Sequence, residues 1–123
     1  MTLTPPMLVG VALLGGVGAV ARFALDGAIG SRAGRSFPYG TLAVNLSGAF
    51  ALGLLLGATG SADVRELLGT GLIGSFTTFS TWVFESHRLA EDHEGRPALA
   101  NLLISLVLGV ALAALGRAIG GAL

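Results

Sequence analysis

Asn45 follows Thr41 by four residues and precedes Ser47 by two, in a stretch otherwise made of Leu, Ala, Val, Gly and Phe. In a helix Thr41 and Asn45 share one face. An amide carries two donor hydrogens and an acceptor oxygen, and leaving these unpaired away from water is costly. A denser group follows in Gly71-Leu-Ile-Gly74-Ser75-Phe76-Thr77-Thr78-Phe79-Ser80-Thr81-Trp82, where five hydroxyls fall within seven positions, interleaved with three aromatics. Polar groups placed among so many apolar residues are expensive and are functional candidates by default. The alternative for each is structural: a hydroxyl can bond back to a carbonyl of its own helix. Thr41 alone fits that alternative, whereas the hydroxyl cluster favours a helix interrupted by its glycines and polar side chains, its freed backbone facing protein, water or an ion.

These residues sit in segments that must lie in lipid. Hydrophobic residues make up 53% of the 123 and charged residues 11%, too few charges to cover a water-soluble domain, which carries about 25%. A bilayer core of about 30 Å takes roughly 20 apolar residues per helix. Four such helices are expected, over about Pro6–Ile29, Tyr39–Thr59, Leu67–Phe84 and Ala98–Ile119. Polar loops over Gly30–Pro38, Gly60–Glu66 and Glu85–Pro97 join them. Pro38 and Pro97 stand at helix entries, where a missing N–H costs little, and Ser61 with Asp63 supplies capping ahead of the third helix. The whole chain, residues 1–123, is thereby one all-α transmembrane domain. Twenty glycines suit close helix packing. The pairs Gly53/Gly57 and Gly116/Gly120, with Gly15/Ala19, are read first as contacts within the chain. So thin a bundle would need a second copy to enclose a path.

Charge and composition exclude other classes. The formal net charge is zero, so no basic footprint for nucleic acid exists. With no cysteine, disulfides and thiolate chemistry are ruled out. His87 and His93 fall in the most charged stretch, outside every membrane segment. An intramembrane hydrolase would need a nucleophile with a base, so an enzyme is not expected. The N-terminus lacks the basic region of a cleavable signal peptide. Lysine is absent. Arg32, Arg35, Arg88 and Arg96 fall in the first and third loops, with Arg22 nearby, against Arg65 and Arg117 on the opposite face. The positive-inside rule then places loops one and three in the cytoplasm and both termini outside.

Three strings resemble the Fluc (CrcB) family of fluoride channels across essentially the whole chain. They are Gly15-Gly16-Val-Gly18-Ala19-Val-Ala-Arg22-Phe23, Pro38-Tyr-Gly40-Thr41-Leu42-Ala-Val44-Asn45-Leu-Ser-Gly48-Ala-Phe50, and Gly74-Ser-Phe-Thr77-Thr78-Phe79-Ser80-Thr81-Trp82-Val-Phe-Glu85. The resemblance implies a fluoride-specific channel in the inner (plasma) membrane, exporting fluoride down its gradient. It further implies an antiparallel, dual-topology dimer whose third helix is broken near mid-membrane, with two pores at the subunit interface. In this family's pattern Asn45 is the pore-lining amide and Thr41 a polar contact. Phe79 and Trp82 form the aromatic lining, and Ser80, Thr81 and Ser105 continue a polar track. Gly74 and Thr77 would offer backbone carbonyls to a structural Na⁺ at the dimer interface, and Glu85 matches an acid near the pore end.

Two departures stand out: Trp82 occupies the place of the family's second phenylalanine, and the arginines are more asymmetric than dual insertion requires. Both suit a subunit paired with a different, oppositely oriented homologue, beside the homodimer. Two rivals are a small multidrug-resistance-type proton-coupled exporter and a non-conducting assembly subunit. The exporter lacks its central membrane acid, since Asp26 and Glu85 fall near segment ends. The assembly subunit leaves the hydroxyl cluster without a purpose.

Overall fold

The computed structural model describes residues 3–34 and 36–123, and Arg35 of the first loop lies outside them. Helix α1 is Pro5–Ala33, α2 Tyr39–Ala58, α3 Ala62–Val64, α4 Gly74–Phe76, α5 Ser80–Glu91 and α6 Gly95–Gly121, with a π-helical stretch Arg65–Ile73 between α3 and α4. Four stretches are long and apolar enough to cross a membrane: α1, α2, Ala62–Glu91 and α6.

Local chemistry sets the ends of these helices. Thr4 Oγ1 accepts from the Met7 N–H at 3.3 Å ahead of prolines in the first turn, and Gly34 closes α1 at φ 84°, a conformation that glycine adopts without a Cβ penalty. Ser61 caps α3 by accepting from the Val64 N–H. The second helix matches its expected bounds to one residue. The third loop is much shorter than Glu85–Pro97, because α5 runs to Glu91 and α6 starts at Gly95. The charges that mark this region as polar also extend the helix: Glu85–Arg88 at 3.0 Å and His87–Glu91 at 2.9 Å are pairs three and four residues apart.

Helices α2 and α6 pack closest, through the two expected glycine pairs. Gly53 and Gly57 meet the backbone at Ala113 and Arg117, while Gly116 and Gly120 meet the Phe50 and Leu54 carbonyls. A Cβ on Gly116 would sit 2.9 Å from the Leu54 amide nitrogen, so only glycine permits the approach. Helix α1 crosses the π-helical stretch and α4 at Gly18, which lies against Leu72 and Ser75. Gly15 is looser, 3.9 Å by its would-be Cβ from the Gly71 carbonyl.

Few large apolar side chains are buried within the chain, where a water-soluble protein would bury most of them. Among the described residues the buried apolar ones are Val44, Leu89 and Ala98, and the buried polar ones Thr41, Thr78, Ser86 and Asn101. Val9, Val20, Phe23 and Val107 all face outward, as lipid requires.

Arg65 closes the turn after α2. Its Nε donates to the Thr59 carbonyl and its Nη2 to the Leu56 carbonyl, both at 2.8 Å, satisfying carbonyls that the helix end leaves open. Arg65→Ala is expected to lower the stability of detergent-solubilised protein by about 1 kcal/mol. Lysine should restore only part of this, since it lacks the planar fork; thermal unfolding followed by helix content measures both.

Candidate ion path

The third membrane stretch loses its helix after Phe76. Thr77 is extended at φ −80°, ψ 160°, and helix resumes at Ser80. Hydroxyls before the interruption bond backwards: Ser75 Oγ to the Gly71 and Leu72 carbonyls at 2.8 and 3.0 Å, and Thr77 Oγ1 to the Ile73 carbonyl at 3.2 Å. Thr78 Oγ1 accepts from the Thr81 N–H at 3.2 Å and donates to Thr81 Oγ1 at 3.1 Å, so it caps α5.

Asn45 joins α2 to this interruption. Its Nδ2 donates to the Thr78 carbonyl and its Oδ1 accepts from the Thr78 N–H, each at 2.8 Å. The side-chain amide thereby pairs with one residue's backbone as a neighbouring strand would. In an unbroken helix the Thr78 N–H would serve the Gly74 carbonyl and the Thr81 N–H the Thr77 carbonyl. Both are diverted here, the first to Asn45 and the second to Thr78 Oγ1. One Asn45 amide hydrogen is not needed for the Thr78 pairing.

Cavities flank this bridge on two sides. A groove of about 390 Å³ is bounded by Asn45, Gly74, Thr77, Phe79, Trp82 and Ser105. A second cavity of about 240 Å³ lies among Arg22, Asp26, Thr41, Thr78 and Thr81, and a third of about 550 Å³ reaches Asp26, Thr41, Glu85 and Arg88. The candidate residues therefore divide: Thr41 and Thr81 lie apart from the aromatic groove, Ser80 is exposed and lines none of the three cavities, and Thr78 borders both the groove and the second cavity.

In the groove Phe79 is 72% exposed and meets Trp82 edge to face, ring centres 5.4 Å apart at 70°. The Trp82 indole N–H donates to the Asn101 carbonyl at 3.1 Å. Ser105 Oγ is buried and meets no partner among the described residues. Among the described residues no charged side chain lines the groove. Its lining includes an amide, a hydroxyl residue and two aromatic rings, residue types whose donors and ring edges can stand in for hydration around an anion without binding it tightly.

Three residues of this arrangement were not singled out in the sequence. Thr78 lay within the hydroxyl cluster but takes part through its backbone. Asn101 and Ser86 are buried together, Asn101 Nδ2 donating to Ser86 Oγ at 2.7 Å. The usable signal was Asn101 itself, an amide inside the leucine-rich fourth segment.

Comparison with known proteins finds relatives over most of the chain. The family model described as "CrcB-like protein, Camphor Resistance (CrcB)" matches residues 9–117. "Fluoride-specific ion channel FluC 2" of Mycolicibacterium paratuberculosis is 54% identical over 114 residues, covering 93% of each chain. "Fluoride-specific ion channel FluC 1" of Leifsonia xyli is 46% identical over 97% of this chain and 90% of its own. "Fluoride-specific ion channel FluC" of Syntrophotalea carbinolica is 43% identical over 89% and 93%.

Proposed function

Because the chain belongs to the CrcB family, we propose that it is a multi-pass membrane subunit of a fluoride-specific channel in the plasma membrane, passing fluoride out of the cytoplasm down its gradient. It is a channel protein and not an enzyme. The observation that carries the reading is a groove lined by Asn45, Ser105, Phe79 and Trp82 and, among the described residues, by no charged side chain. Fluoride holds its water tightly, and only closely placed donors offset the loss of that water. A groove without arginine or lysine lets the ion leave again.

One chain leaves this groove open on a side. A second subunit, inverted in the membrane, closes it and doubles the path, with the interrupted third helix of each at mid-membrane. The Gly74 and Thr77 carbonyls, whose helical donors are diverted to Asn45 and Thr78, suit a hard cation such as Na⁺ between the subunits. Bound there, the ion supplies fixed positive charge that offsets carbonyls turned out of the helix. Thr41 and Thr81, in their separate cavity, belong to the approach beside Arg22.

The test is fluoride efflux from liposomes holding the purified chain alone, followed with a fluoride electrode and with chloride as control. Rapid efflux that excludes chloride is expected from a homodimer. If the well-folded chain is silent alone and active only with a homologous partner, the assembly is a heterodimer. Silence in both settings refutes the channel reading.

A further inference from the structure

Trp82 brings to its position something a phenylalanine lacks, an indole N–H, and the structure spends it away from the groove. That N–H donates to the Asn101 carbonyl at 3.1 Å. The return links run through side chains: Asn101 Nδ2 donates to Ser86 Oγ at 2.7 Å, and Ser86 Oγ donates to the Trp82 carbonyl at 2.9 Å. A longer contact of 3.5 Å joins Asn101 Nδ2 to the Trp82 carbonyl directly. The result is a closed ring of hydrogen bonds between α5 and α6, centred on a fully buried asparagine.

The asparagine is an expensive choice for mere packing. Its Oδ1 is buried and finds no donor among the described residues, a cost that leucine or alanine would avoid. Its amide hydrogens, by contrast, are well used. We infer that Asn101 is the positioning residue of the aromatic wall: with Ser86 it fixes the turn of α5 that carries Trp82, so that the indole N–H points into the helix pair and the ring alone faces the groove. Phe79 then takes its orientation from Trp82, its edge-to-face partner. The inference rests on the fluoride-path reading for its consequence in flux, but not for the clamp itself.

Trp82 is the single tryptophan of the chain, so its indole proton and its fluorescence report on this one site. In the unmodified full-length protein the indole proton should exchange slowly with solvent by NMR, as a buried bonded N–H does. Asn101→Ala, and more mildly Ser86→Ala, should speed that exchange and raise quenching of Trp82 emission by acrylamide. In liposomes Asn101→Ala should cut fluoride flux about tenfold, less than the loss that a displacement of about 1 Å can cause in a preorganised site. In the Trp82→Phe background the links to Ser86 and to the backbone carbonyl at position 82 remain, so the same change should still lower that variant's own rate, by a smaller factor. Exchange in the unmodified protein as fast as that of a free indole would overturn the clamp. So would variants whose exchange and quenching are unchanged, or an equal flux loss in both backgrounds. Should the unmodified protein conduct no fluoride, the channel reading fails and the spectroscopy alone decides the clamp.

Discussion

Asn45→Leu is expected to abolish fluoride flux and to destabilise the subunit together. Leucine leaves both the Thr78 N–H and the Thr78 carbonyl without the partners they meet at 2.8 Å. Each unpaired group in a dry site costs about 1–3 kcal/mol, so the pair accounts for roughly 2–6 kcal/mol, enough to let the interruption refold or collapse. Asn45→Asp acts on the path as well as on the fold. Aspartate keeps an acceptor for the Thr78 N–H but turns a second oxygen on the Thr78 carbonyl and adds a negative charge beside the groove. At 4 Å and an effective dielectric near 20, two like charges repel by about 4 kcal/mol. Even partial expression of that barrier slows fluoride by about a hundredfold or more. Efflux and thermal unfolding should therefore fall in both variants, with aspartate adding the charge barrier to the lost pairing. Unchanged efflux in either would show that the ion does not pass this amide.

The second large effect is expected at the α2–α6 seam. Gly116→Leu puts a side chain where the Phe50 carbonyl and the Leu54 amide already stand. Backbone cannot move aside as a flexible side chain can, so the helices must part, at a cost of about 3 kcal/mol or more. Loss of the monodisperse, helical species in detergent is the expected readout. Gly16→Ala is the matched control, because nothing lies within 4 Å of its would-be Cβ; it should be neutral or slightly stabilising. Wild-type behaviour of Gly116→Leu would mean that the seam is not held by this contact.

Much of this was legible in the sequence because lipid imposes strong rules. Apolar runs give the four membrane stretches, and glycine spacing marks close packing within the chain, though which helices it joins appears only in the structure. Charges near Glu85 are an ambiguous sign: they read as loop, yet on a helix they pair one turn apart and lengthen α5. Thr41 and Asn45 share a helical face by spacing, but the structure divides them between cavities, because the Thr78 backbone comes between. Asn45 stood out as an amide in lipid, though its partner could not, since any residue carries a peptide N–H and carbonyl. Asn101 had the same mark as Asn45 but stood alone among leucines, without a cluster to draw notice.

The bridge between Asn45 and Thr78 also bears on how the subunit is made. The interruption in the third membrane stretch caps its own Thr81 N–H but takes the partners of the Thr78 peptide from Asn45, so that stretch is poorly suited to standing alone in a bilayer. Synthesis runs from the N-terminus, and domains assemble in that order. The stretch holding Asn45 therefore enters the membrane before the stretch that depends on it, and the amide is in place when the Thr78 peptide arrives. Chain order and hydrogen-bond order coincide, which spares the nascent protein an interval with exposed polar backbone in the hydrocarbon.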